Sequence, residues 1–134
     1  MNAPGETEKP AGVDALIITA IKEELDELLK VEAGASPGSR WDVRLGPTGL
    51  KVAFQTFGAV KGGSLSIAIA QAVGMGGVET ASVAGTLIAA YPPRCIAMCG
   101  VCAGRRGDVN LGDVIIAVRV DVRRGQAQGR DQRG

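Results

Sequence analysis

Four short stretches of this chain hold residue types at spacings that could do chemistry. The first is Thr19-Ala20-Ile21-Lys22-Glu23-Glu24-Leu25, which directly follows an apolar run. Ligands of open α/β sheets bind outside the carboxyl ends of the strands, so carboxylates placed there stand at a functional edge. N–H groups at a helix start favour their charged form. Glu24 falls about 60° around the helical wheel from Ile21, at the border of the apolar face, where it can point into a cleft. Surface charge complementing the helix dipole is the plainer reading. The second stretch is Gly74-Met75-Gly76-Gly77, where missing side chains let backbone N–H groups approach a phosphate or a ribose. Ordinary turn chemistry also explains such a run.

The third is Cys95-x3-Cys99-x2-Cys102, a spacing that can hold a [4Fe–4S] cluster on three thiolates, as in radical S-adenosylmethionine enzymes. Its context argues otherwise. Arg94 to Gly100 reads as one continuous strand, on which Cys95 and Cys99 stand about 13 Å apart, whereas cluster ligands must converge. Val101 occupies the place before the last cysteine, where those enzymes prefer an aromatic residue. Buried structural thiols are the expected reading. The fourth is Cys99-Gly100-Val101-Cys102-Ala103-Gly104 followed by Asn110-Leu111-Gly112-Asp113-Val114-Ile115-Ile116. Small residues at the end of an apolar strand open space for a ligand.

The elements that must position these groups follow from periodicity. Val13 to Thr19 is an apolar, β-branched run that predicts a buried strand. Ile21, Leu25, Leu28 and Leu29 then share one helical face. A strand passing into a helix within one residue is an α/β signature. Gly34 to Ser39 predicts a turn. Strands are predicted at Trp41 to Leu45, Leu50 to Phe57 and Leu65 to Val73, punctuated by Gly46-Pro47-Thr48-Gly49 and Lys61-Gly62-Gly63. Val78 to Tyr91 holds one charge, Glu79, and predicts a helix packed in an interior, stopped by Pro92-Pro93. Buried strands are predicted at Arg94 to Gly100 and Val114 to Val120.

Composition excludes several function classes. The 134 residues allow one small domain, and 46% hydrophobic against 22% charged residues make it globular material. Aromatic residues are 3% of the chain, too few for base stacking along a single strand. Lys plus Arg number 15 against 14 Asp plus Glu, so no net field draws the chain to nucleic acid or to an anionic membrane. Histidine is absent, which removes Ser-His and Cys-His nucleophile pairs and His-containing zinc sites. No apolar run reaches the roughly 18 to 20 residues of a membrane span. The polar start lacks a signal core, so a cytoplasmic location is expected, and an odd number of cysteines reads as thiols.

Taken in order, Thr19-Ala20-Ile21-Lys22-Glu23-Glu24, Gly74-Met75-Gly76-Gly77-Val78, Gly100-Val101-Cys102-Ala103-Gly104 and Leu111-Gly112-Asp113-Val114-Ile115 resemble the nucleoside phosphorylase superfamily. The nearest branches in pattern are the methylthioadenosine/S-adenosylhomocysteine nucleosidases and related phosphorylase-like modules of bacterial multidomain proteins. The match runs from about Val13 to Ala117. The resemblance implies an α/β fold, a three-layer α/β/α sandwich with a mixed central sheet, and cleavage of the N-glycosidic bond of an adenine nucleoside. It implies that Glu24 is the catalytic acidic residue that orients and activates water. It further implies that Gly76 lines the nucleophile side, and that Cys102, Ala103 and Gly104 lie against substrate. Cys102 stands where the family carries serine, and its thiol is the weaker hydrogen-bonding group. Cys99 stands where phosphorylases of the bacterial hexameric type carry a phosphate-binding Arg, which favours hydrolysis. Neither cofactor nor metal is implied. The implied partner is a small-molecule nucleoside, and a homo-oligomer is compatible with the pattern.

In the superfamily, the Met-Glu pair that grips ribose and the Asp that protonates the purine lie farther downstream. The expectation is therefore a C-terminally truncated chain with impaired activity. Residues 1–12 are expected to be a disordered leader, 13–118 the first part of the phosphorylase-like domain, and 119–134 a basic tail. From Arg119 onward the text turns to Arg, Gly, Gln and Asp, with five Arg against two Asp. Such text is what GC-rich coding DNA gives out of frame, so a frameshift near Val118 is expected. A disordered basic extension is the alternative. For function, the alternatives are a non-catalytic nucleoside-sensing or assembly module and, third, the iron–sulfur radical enzyme.

Overall fold

The computed structural model describes residues 12–72, 74 and 77–118. It falls into two compact units, residues 1–101 and 102–134. The expected leader 1–12, apart from Gly12, lies outside the described residues, as does the tail 119–134.

The first unit is a mixed five-stranded sheet with two helices, an α/β arrangement. In chain order it contains β1 (Val13–Thr19), α1 (Lys22–Leu28), β2 (Asp42–Leu45), a single 3₁₀ turn at Pro47–Gly49, β3 (Lys51–Gly58), β4 (Ser64–Gln71), α2 (Gly77–Ala90) and β5 (Pro93–Met98). The strand order is β2-β3-β4-β1-β5. β1 is parallel to β4 on one side and to β5 on the other, while β2 and β3 run antiparallel to their neighbours. The β3–β4 hairpin turns at Lys61-Gly62-Gly63, where Gly62 and Gly63 have φ of 88° and 84°, a region costly for other residues. The expected elements up to Met98 stand within a few residues of their predicted bounds.

Alternation along the strands divides the buried residues between the two sheet faces. Leu16, Ile18, Val52, Ala68 and Ala70 form one cluster with Leu87 of α2, and Phe54, Val83, Ala84 and Tyr91 pack against it. The Tyr91 ring meets Phe54 edge-on at 5.0 Å. Ala53, Gln55, Ile69 and Thr19 are buried outside that cluster. α1 packs on β1 and β4.

Three sequence expectations are corrected. α2 is not an interior helix: among its described side chains Leu87 is the buried one, and Val78 is 86% exposed. Val83, Ala84 and Leu87 lie one to four residues apart and so make a single stripe, which is all that one sheet face requires. β5 is not buried either. It is the edge strand of the described sheet, and Ile96 and Met98 are exposed on it. Cys95, Cys99 and Cys102 are accordingly exposed free thiols, not buried ones.

In the second unit, the described residues make two tight turns. Asp108 N–H and Val109 N–H donate to the Arg105 carbonyl, and Asn110 N–H donates to the Asp113 carboxylate at 2.8 Å. A Cβ on Gly104 would fall 2.0 Å from Val109 Cγ2, so any side chain there requires Val109 to move. The strand expected at Val114 to Val120 does not form over its described part. Val114, Ile116 and Val118 are exposed, and a strand needs a ladder partner to satisfy its backbone.

Candidate active site

β1, β4 and β5 are parallel, so Thr19, Gln71 and Met98 end at one edge of the sheet. The strands that follow β1 lie on one side of it and β5 lies on the other. In open α/β sheets the carboxyl edge at such a reversal is the usual ligand position.

Glu24 occupies this edge. It is the third residue of α1, and its side chain folds back over the turn leaving β1. Oε2 accepts from Ala20 N–H at 2.9 Å and from Ile21 N–H at 3.3 Å. These bonds make the acidic half of a capping box; Ile21 at the N-cap has no side-chain acceptor for the other half. Oε1 accepts from Val101 N–H at 2.9 Å. Val101 follows β5, which is itself tied to β1 by Cys99 N–H donating to the Ile18 carbonyl at 3.1 Å. One carboxylate thus joins the ends of two neighbouring parallel strands.

Those donors set its charge. The Val101 N–H, then the Ala20 and Ile21 N–H groups, hold the Glu24 carboxyl below its ordinary value, against an opposing contribution from desolvation. Glu24 is therefore an anion at neutral pH. A carboxylate offers about four acceptor positions. Three are filled by backbone, which leaves one on Oε1 for a water or a substrate hydroxyl. An anion held this way orients a water well but is a weak proton acceptor.

Gly100 sits against the same carboxylate. A Cβ there would lie 2.5 Å from Oε1, 2.8 Å from Cδ and 2.9 Å from Oε2. Gly100 was legible as a small residue at a strand end; its service as the seat of Glu24 was not, because that contact spans 76 positions. Thr19 opened the first candidate stretch, but its burial was not legible. It is fully buried beside Ala20, and its Oγ1 has no partner among the described residues. Buried hydroxyls normally have one.

The other expected site residues stand differently. Gly76 lies outside the described residues. Gly74 before it packs against Glu79: a Cβ there would come 3.1 Å from Glu79 Cγ. Cys102, Ala103 and Gly104 open the second unit and are exposed. Among the described residues there is no group of three His, Cys, Asp or Glu side chains placed to hold a metal ion. No helix among them is long and apolar enough to cross a membrane.

No family model matches the chain, and no solved structure matches it significantly. It is similar to the uncharacterized protein y4jS of Sinorhizobium fredii (strain NBRC 101917 / NGR234), at 33% identity over 79 residues. That stretch is 59% of this chain and 16% of the y4jS protein, so the chain spans a small part of the curated relative it matches.

Proposed function

We propose that this chain carries the water-activating half of a nucleosidase site, in a three-layer domain of the nucleoside phosphorylase type. The observation that supports this best is the Glu24 carboxylate. It is anionic, stands at the carboxyl edge of β1 and β5, and keeps one acceptor position open on Oε1. In the proposed reaction, water held by Oε1 attacks C1′ of an adenine nucleoside such as methylthioadenosine or S-adenosylhomocysteine. The glycosidic bond breaks through an oxocarbenium-like state, and the purine leaves with a proton. Glu24 accounts for the nucleophile only; purine protonation needs a further acid.

Release of free adenine from methylthioadenosine tests the reading, with inosine as the comparison and with and without phosphate. The expected result is slow, phosphate-independent adenine release. It should fall by about 10² to 10⁴-fold in Glu24→Gln, the usual contribution of a carboxylate acting on water. Equal turnover in parent and variant would remove Glu24 from the mechanism.

A second reading, a non-catalytic nucleoside-sensing module, is favoured by one observation: three of the four acceptor positions of Glu24 already serve the backbone. Saturable binding of methylthioadenosine without release of adenine would establish it.

A further inference from the structure

Far from Glu24, at the other end of the sheet, the loop before β2 leaves an open hollow of about 560 Å³ against β3. Gln55 lies in its floor. It pairs with Ile67, which pairs with Ala15 near the amino end of β1, so the hollow is at the edge opposite the candidate active site. The loop is stitched to β3 by Ser36 N–H donating to the Thr56 carbonyl at 2.9 Å and Thr56 N–H donating to Ser39 Oγ at 3.2 Å. These bonds make the walls a built part of the fold.

The polar groups around the hollow are of three kinds. Gln55 is 6% exposed, and its Oε1 has no donor among the described residues. Its Nε2 reaches the Ser39 carbonyl at 3.4 Å, the long limit of such a bond. Gln55 Oε1 is therefore a buried acceptor in the lining of the hollow that still lacks a donor. Arg40 and Glu32 also line it, and neither has an ion-pair partner among the described residues. The apolar wall is Trp41, fixed by Phe57 at 5.8 Å and by its Nε1–H donating to the Val31 carbonyl at 3.3 Å.

A cation, an anion, a buried acceptor and an indole around one small space complement a molecule that carries both charges. We propose that this hollow binds a small zwitterion of the α-amino-acid type. Its carboxylate meets Arg40, its ammonium meets Glu32 and Gln55 Oε1, and its apolar side chain lies on Trp41. The site is independent of Glu24 and of any reaction at the other edge.

Trp41 is the single tryptophan of the chain, so its emission reports on the hollow directly. The full chain is titrated with L-phenylalanine, with 3-phenylpropionate, which lacks the ammonium, and with phenethylamine, which lacks the carboxylate. Saturable quenching or enhancement by L-phenylalanine is expected, with each half-charged analogue about tenfold weaker or worse. Arg40→Gln, at an exposed position, should weaken L-phenylalanine and 3-phenylpropionate about tenfold and leave phenethylamine unchanged. Gln55→Met should weaken L-phenylalanine and phenethylamine. If Gln55→Met fails to fold, Arg40→Gln and the analogues decide the matter without it. The proposal is overturned if L-phenylalanine gives no saturable change, if either analogue binds as tightly, or if Arg40→Gln binds as the parent does.

Discussion

Replacing Gly100 by alanine tests how the Glu24 carboxylate is seated. The new Cβ would stand 2.5 Å from Oε1 and 2.8 Å from Cδ, closer than real Cβ contacts. The clash itself is cheap, because the carboxylate is the far end of a flexible side chain and swings away. What it forfeits is the Val101 bond to Oε1, the carboxylate's link to the end of β5, while β1 and β5 stay paired along the sheet. A hydrogen bond to a charged acceptor contributes about 1.5 to 3 kcal/mol. Glu24 is half-exposed, so solvent competes and about 1 kcal/mol is the reasonable share. For a unit of this size that lowers Tm by about 4 to 8 °C. The Glu24 titration, followed by carbon NMR of its labelled carboxyl, should move back up toward 4.5. The sign follows from linkage. A carboxyl lowered in the folded state stabilises above its unfolded pKa, and that stabilisation is lost as pH falls through the folded value. The gap between parent and variant should therefore be full at neutral pH and close in acid. Glu24→Ala should cost less in the Gly100→Ala background than in the parent, since the Val101 contact is already lost there. An unchanged melting point together with an unchanged Glu24 titration would refute this reasoning.

Asp14 accepts from Ser66 N–H at 2.9 Å and from Arg94 at 3.3 Å, which hold its carboxyl below the ordinary value. Asp14→Asn should therefore lower the melting point at neutral pH, with the difference vanishing below the depressed pKa; thermal scans at several pH values check this. Leu87→Ala empties the one fully buried position of α2 and should cost about 2 to 5 kcal/mol in urea unfolding. Native-state titration with an aromatic disulfide reagent should modify all three cysteines as fast as in urea, because each is exposed. Slow modification in the native state would contradict the placement of β5 at the sheet edge.

The amino-acid sequence by itself determined the local elements. The switch from the apolar, β-branched run of Val13–Thr19 to the helical spacing of Ile21, Leu25, Leu28 and Leu29 marks β1 and α1, because backbone geometry fixes which side chains share a face. Gly62-Gly63 marks the hairpin by the φ values that only glycine adopts cheaply. Glu24 was legible as the candidate carboxylate, since its place depends on neighbours three and four residues away. What the sequence could not decide was burial and partnership. Apolar text in Arg94–Gly100 and Val114–Val118 reads as buried, yet burial depends on what stands alongside, and β5 is an edge while the later run has no ladder. The Val101 and Gly100 contacts to Glu24 join positions 77 and 76 residues apart, and the convergence of Glu32, Arg40 and Trp41 with Gln55 spans 23. Such contacts arise only when the chain closes on itself, so tertiary structure alone decides them.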